Sequence, residues 1–500
     1  MEHYIFYCKL SLLAVLSLIT ACCMLSRRWY VNLAAFLACL SGETFLAHLF
    51  FPGYMLCPAA ASFIILFLSR IWDLSRTPAK GNGADPIRLP VRSGIRESRL
   101  EFHYHYSNFL VYGEAGSGKT KSIGKWLLSE YMRLGFAGFI YDFKDTDYTR
   151  TAYNLIKRHR YPHKFYYVSF DRPERSYRFN PLKVVRDRTE LIQLMEDVLL
   201  ALLPKKEQQN EWVAGGLGIL RGVAFRFWDE FPEHCTLPHI LAFIMTASAR
   251  QLSLFLQQNL VSEMLAGAYL KAEGSEKTQA SYLSTLCNNL ATISQNEEIA
   301  YVLSGDDFDF NLIDPETPKL FAVSNNFSKN SVYAPVISML MTISARQFSM
   351  QNRVPFVYFL DEMTTVNIKN FETLPSVLRE YKAAFILLTQ SGAKLENLYG
   401  KLDRSSVEAN FGNMFLGRTK DVEALKYYPL FFGKEEKERR SRSSGKSGAS
   451  SSSSVTVSSQ KEDIYQGKDF ADLAPGEFIG SATRSNAGYF RAKLRMSDDK

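Results

Sequence analysis

Cysteine is scarce wherever the chain is polar. Five of the seven cysteines (Cys8, Cys22, Cys23, Cys39 and Cys57) fall in the apolar first seventy residues, which leaves only Cys235 and Cys287 beyond them. No CxxC or Cys/His metal spacing occurs, so a zinc ribbon and a disulfide framework are excluded and a reduced, cytosolic body is expected. Strong charge is missing too. A formal charge of +8 over 500 residues is compatible with a nucleic-acid or anionic-lipid partner without requiring one. Lysine and arginine are absent from the entire interval between Arg28 and Arg70, a gap about twice the roughly 20 residues of one helical membrane crossing.

The apolar segments that fill this gap are therefore the first positive feature. Tyr4–Leu25 is apolar apart from Lys9, and Pro52-Gly53 divides the second interval into Trp29–Phe51 and Tyr54–Leu68. The pattern predicts a transmembrane region over 1–70 with three helices, or two helices and an interfacial segment. Arg27-Arg28 and everything after Arg70 then belong in the cytoplasm, with the N-terminus outside. Glu43 and His48 sit near the outer interface or pair within the bundle. Residues 71–106, including the aperiodic Pro/Gly/Lys/Arg stretch Thr77–Arg99, form a linker and the start of a soluble part. A chain of this length needs two or more domains.

The clearest chemical signal follows. Asn108–Tyr112 is a short buried-strand pattern, and it leads into Gly113-Glu114-Ala115-Gly116-Ser117-Gly118-Lys119-Thr120 and then a helical stripe at Ile123, Trp126, Leu127 and Tyr131. Strand, glycine loop and helix make a phosphate-binding P-loop. The glycines let backbone N–H groups face phosphate oxygens at a helix N-terminus, Lys119 neutralises the β- and γ-phosphates of ATP, and the Thr120 hydroxyl ligates Mg²⁺. Val354–Leu360 is a second apolar strand and ends in Asp361-Glu362. Asp361 would hold Mg²⁺ through its water shell while Glu362 polarises the attacking water. A third strand, Phe385–Thr389, ends at Gln390, whose amide can contact the γ-phosphate. Ala137–Tyr141 before Asp142, Phe165–Phe170 and Leu320–Ser324 supply further parallel strands.

Strands alternating with helices predict an α/β fold, a doubly wound RecA-like sheet with nucleotide at the strand C-termini. The nucleotide-binding domain is expected in two parts, 107–185 and 311–500, separated by an all-α insertion over 186–310. There Asp187 caps a helix with Leu191, Leu194, Val198 and Leu202 on one stripe, and Trp212–Phe231 and Thr236–Ala247 follow with similar spacing. The charged and serine-rich stretch 433–460, with Ser450–Ser454 unbroken, is expected to be a disordered insertion. Phe478–Ala482 then returns as a strand.

These motifs in this order resemble the type IV coupling proteins of bacterial conjugation and secretion, relatives of the ring-forming DNA translocases. The resemblance runs from about Ser107 to Gly480. It rests on the P-loop, Tyr141-Asp142-Phe143-Lys144, Phe179-Asn180-Pro181-Leu182, Asp361-Glu362, the Leu374–Gly400 stretch and Leu473-Ala474-Pro475-Gly476-Glu477-Phe478. It implies a multi-pass protein of the bacterial inner membrane, its ATPase domain in the cytoplasm, acting as a homo-hexamer. Such a ring uses ATP to deliver DNA with its bound relaxase into a type IV secretion channel. Arg379, shortly before Gln390, matches the arginine that reaches a neighbouring subunit's γ-phosphate. The chain departs from the family in having almost no periplasmic loop and a longer serine-rich insertion. Two other readings remain: a coupling ATPase for protein effectors alone, and a nucleotide-gated scaffold for channel assembly.

Overall fold

A computed structural model describes residues 85–92, 98–203, 207–447 and 450–497. The three expected membrane segments lie outside the described residues. Among the described residues, no helix is long and apolar enough to cross a membrane.

The described residues form thirteen strands: β1 (Ile87–Val91), β2 (Ser98–Phe102), β3 (Phe109–Tyr112), β4 (Ala137–Asp142), β5 (Lys164–Ser169), β6 (Lys319–Ser324), β7 (Phe356–Asp361), β8 (Ala383–Thr389), β9 (Asn413–Leu416), β10 (Lys434–Ser447), β11 (Ser450–Asp463), β12 (Glu477–Ser481) and β13 (Tyr489–Lys493). Nine form one sheet in the order β13-β12-β9-β3-β8-β7-β4-β6-β5. Every pairing from β9 to β5 is parallel, whereas β12 and β13 close one edge antiparallel. The fold is thus mixed α/β around a large parallel sheet.

Every residue of β3, β4, β6, β7, β8 and β9 is buried, because both faces of the sheet are covered. Alternate residues of β3 point to opposite sides. Phe109 and Val111 pack with Leu127 and Tyr131 of helix α1 (Lys125–Arg133) and with Tyr148 and Ala152 of helix α2 (Asp147–His159). Leu110 and Tyr112 join the larger core on the other side.

Between β5 and β6 the chain runs through a succession of helices. Asp187 caps the first, α3 (Arg188–Ala201), by accepting the Glu190 N–H at 2.9 Å, and Leu191, Leu194 and Val198 are buried along its stripe. The next, α4 (Glu211–Glu230), has buried residues on all sides. Its glycines allow close packing: a Cβ on Gly215 would meet the Tyr282 ring at 2.2 Å. Tyr282 belongs to a long partner helix, Glu276–Ser294. The aromatics Phe225, Phe227 and Trp228 pack within or against the core, while Trp212 lies against Tyr282.

Two expectations need correction. The Thr77–Arg99 stretch is not linker throughout, because β1 and β2 pair as a hairpin whose Ile87, Leu89, Leu100 and Phe102 are buried in the sheet's second core. Their alternation is too short to stand out among the surrounding prolines and charges. The serine-rich segment, expected to be disordered, forms an antiparallel ribbon in which β10 and β11 pair from Lys434↔Asp463 to Ser447↔Ser450. Backbone pairing, residue against residue along both strands, supplies the order there.

Leu220 lies at the centre of α4 with no exposed surface. Leu220→Ala should destabilise the helical region by about 2–5 kcal/mol. Thermal unfolding and limited proteolysis within 186–310 should both detect the loss.

Candidate functional site

All the parallel strands end at the same rim, so their C-terminal residues converge. At the end of β3 the backbone turns sharply at Gly113, where a Cβ would lie 2.6 Å from Ser117 Oγ. Gly116 and Gly118 have φ of +79° and +94°, left-handed conformations that a side chain would strain. The Ser117 N–H donates to Glu114 O at 3.2 Å and closes the loop. A wide π-helical turn, Lys119–Gly124, then leads into α1. Glu114 is anchored from outside the motif: its Oε1 accepts Arg418 Nε at 2.6 Å, and its N–H donates to Arg418 O at 3.0 Å. Ala115 stays exposed at the tip of the loop and Thr120 is half-buried.

Lys119 is buried under this loop, with Nζ donating to Gly113 O and, at 3.2 Å, to Glu114 O. Burial brings its ammonium down to about 8, opposed chiefly by the charge of Glu362. Asp361 ends β7 and is 3% exposed. Burial pushes its carboxyl up to about 7; Lys144 opposes the shift and Asp142 adds to it. Asp361 Oδ2 is buried and receives no hydrogen bond from the protein. Asp142, at the end of neighbouring β4, is satisfied differently, accepting from the Thr149 N–H and Oγ1 at 2.8 Å each. Its carboxyl is also raised by burial.

Glu362 occupies the turn after β7 with φ +48°. Its side chain is enclosed, and Oε1 accepts from Thr389 Oγ1 at 3.2 Å, Thr364 Oγ1 at 3.3 Å and Lys394 Nζ at 3.3 Å. Strand β8 lies between β3 and β7 in the sheet, so Gln390, directly after its last residue, stands between the P-loop and Glu362. The structure thus brings Lys119, Asp361, Glu362 and Gln390 to one rim. It separates Arg379 from them. That residue is exposed at the end of the helix Leu374–Glu380, and its carbonyl accepts the Lys382 N–H just before β8 starts. Arg379 therefore sits at the opposite end of the sheet from its own chain's P-loop.

The arrangement fits a nucleoside triphosphate with a divalent cation. Backbone N–H groups and a buried ammonium face one side, and an unsatisfied carboxylate oxygen faces the other. Among the described residues, no group of three or more His, Cys, Asp or Glu side chains could hold a metal ion. Three contributors escaped the sequence pattern: Arg418, Thr389 and Lys394. Each acts through another residue and belongs to no motif of its own.

A family model described as the type IV secretion-system coupling protein DNA-binding domain matches residues 100–466. No curated protein matches the chain significantly. Among solved structures, the fold is similar to the unbound bacterial conjugative coupling protein TrwBdeltaN70, with TM-score 0.64, 17% identity, and 86% of this chain and 92% of that one covered. The plasmid coupling protein TrwB in complex with ADP and Mg²⁺ gives TM-score 0.60 at 16% identity over 78% and 85% of the two chains. Its complex with the non-hydrolysable ATP analogue ADPNP gives 0.61 at 16% identity over 82% and 94%. Because the family model takes in most of the sequence, including the P-loop, the helices between β5 and β6 and the Asp361-Glu362 strand, the chain belongs to the type IV secretion-system coupling protein DNA-binding domain family.

Proposed function

We propose that this chain is a membrane-anchored ATPase that couples ATP hydrolysis to delivery of DNA, with its bound relaxase, into a type IV secretion channel. One observation carries the reading: a buried P-loop lysine and an unsatisfied buried carboxylate oxygen meet at one sheet rim, with Glu362 beside them. The ATP and Mg²⁺ assignment gains support from the similar fold of TrwB, solved with ADP and Mg²⁺ and with ADPNP. The DNA assignment gains support from the family description.

In this reading the loop Gly113–Thr120 grips the phosphates through backbone N–H groups and Lys119. Thr120 and Asp361 hold Mg²⁺, which supplies charge neutralisation between the phosphates when bound. Glu362 accepts a proton from the attacking water, and Gln390 contacts the γ-phosphate. Arg379 cannot serve its own chain's site from the far end of the sheet, so its catalytic role requires a neighbouring subunit, hence the proposed hexamer. Residues 1–70 provide the inner-membrane anchor, the helices of 186–310 form the substrate-facing domain, and the sheet of 107–185 and 311–500 is the motor in the cytoplasm.

Lys119→Ala should abolish ATP hydrolysis and DNA transfer while the protein still reaches the membrane; normal transfer by this variant would refute the motor. Glu362→Gln should keep ATP binding but slow turnover by about 10²–10⁴-fold, measured as steady-state phosphate release. Residues 71–500 should hydrolyse ATP faster when single- or double-stranded DNA is added. A rate indifferent to both would favour a protein-effector cargo.

Asp361 gives a pH prediction. Folded, it keeps its proton up to about pH 7, whereas an unfolded aspartate loses it near about 3.9. The native state therefore binds more protons across that window, and ligand-free stability from this group falls as pH rises through it. Lys119, lowered to about 8, acts only above that window, where its contribution rises with pH. Asp361→Asn should accordingly raise the ligand-free melting temperature at about pH 8 and change it little at about pH 4.

A further inference from the structure

The helix Gly392–Tyr399 begins just after Gln390 and is fastened at both ends to the turn that carries Glu362. Near its start, Lys394 Nζ donates to Glu362 Oε1 at 3.3 Å. At its end, the Tyr399 hydroxyl accepts the Ile368 N–H at 3.1 Å and donates to Met363 Sδ at 3.9 Å. Leu395, between them, is fully buried. The helix and the Glu362 turn are thus joined by contacts on both sides of a packed core residue.

The Glu362 side chain needs such fixing. Its backbone is in the left-handed region at φ +48°, a conformation that persists in a non-glycine residue only where the surroundings over-determine it. Of the three donors on Oε1, Thr364 and Thr389 are neutral hydroxyls and Lys394 alone is charged. The lysine side chain is 43% exposed and that of Glu362 is 4% exposed, so the ammonium reaches in from the rim to a carboxylate it can orient. With the three donors sharing Oε1, Oε2 is left as the oxygen to face the water.

We propose that Lys394 is a positioning residue: it aims the Glu362 carboxylate, and through its helix it ties that aim to the contact Gln390 makes with the terminal phosphate. The proposal rests on the ATPase reading above. It concerns only how the base is held; Lys394 itself neither grips nucleotide nor takes up a proton.

Lys394→Met keeps the length of the side chain and removes its charge, and the exposure of this residue means that the fold survives the change. We expect kcat for ATP to fall by about 10–10²-fold, with KM and the affinity for a non-hydrolysable ATP analogue within about twofold of the parent. Lys394→Arg should restore most of the rate. In a Glu362→Gln background, Lys394→Met should cost nothing further, because both changes act on one group. An unchanged kcat, a rise in KM at constant kcat, an Arg variant no better than Met, or full additivity with Glu362→Gln would each overturn the assignment. A parent chain that hydrolyses no ATP would sink the ATPase reading itself. Parent turnover matched by Lys394→Met would sink only the positioning role.

Discussion

Charge compensation at one rim of a parallel sheet is the constraint on which the rest depends. Parallel strands deliver their C-termini to the same edge, so Asp142, Asp361 and Glu362 arrive together with the P-loop. Three buried carboxylates in a low-dielectric setting repel one another and lack water. Lys119, Lys144 and Lys394 answer them from three different elements. The balance is incomplete. Asp142 has two hydrogen bonds from Thr149 and Glu362 has an ion pair with Lys394, but Asp361 Oδ2 has no protein donor and its carboxyl is held near 7. The imbalance therefore concentrates on Asp361, the carboxylate proposed to hold the cation.

Much of this was legible in the residues alone because the relevant signals are local. A glycine loop between a strand and a helix, or two acids after an apolar run, needs only a few neighbours to be recognised. Strands β3, β4, β6, β7 and β8 are readable as apolar runs because both of their faces are covered. What escaped notice depends on distant partners. Strand β9, Asn413–Leu416, is followed by no motif that marks it as β3 is marked by its glycine loop, and it is held as a strand between β3 and β12. Strands β1 and β2 hide in a proline- and arginine-bearing stretch. Arg418 and Lys394 look like ordinary surface cations until the fold sets them against Glu114 and Glu362. The serine-rich ribbon is hidden for another reason: composition carries no signal for the backbone pairing that β10 and β11 make residue by residue.

The position of Arg379 shows what topology adds to motif spacing. Its proximity in sequence to Gln390 suggests a shared site, yet a strand as long as β8, seven residues, separates its two ends by roughly 20 Å. Gln390 lies beyond one end and Arg379 before the other. Sequence neighbours are therefore spatial opposites, and any joint action on one phosphate must involve two chains.

The late Leu473–Phe478 stretch, conspicuous in sequence but carrying no chemical group of obvious use, has a mechanical explanation. The Glu477 N–H donates to Ala474 O at 2.9 Å, with Pro475 and Gly476 at the two central positions and Gly476 at φ +81°. This is the residue pattern of a type II turn, in which proline presets the first angle and glycine alone accepts the second. The turn aims the Gly476 N–H at Ser117 O, 2.9 Å away. A Cβ on Gly118 would come within 2.7 Å of Gly476 N, and one on Gly476 would meet Ser122 Oγ at 3.0 Å. The phosphate loop is consequently shaped from both sides, by β3 from which it springs and by a turn more than three hundred residues later in the chain. A side chain at Gly476 would be strained at φ +81° and would loosen the turn whose N–H holds Ser117 O.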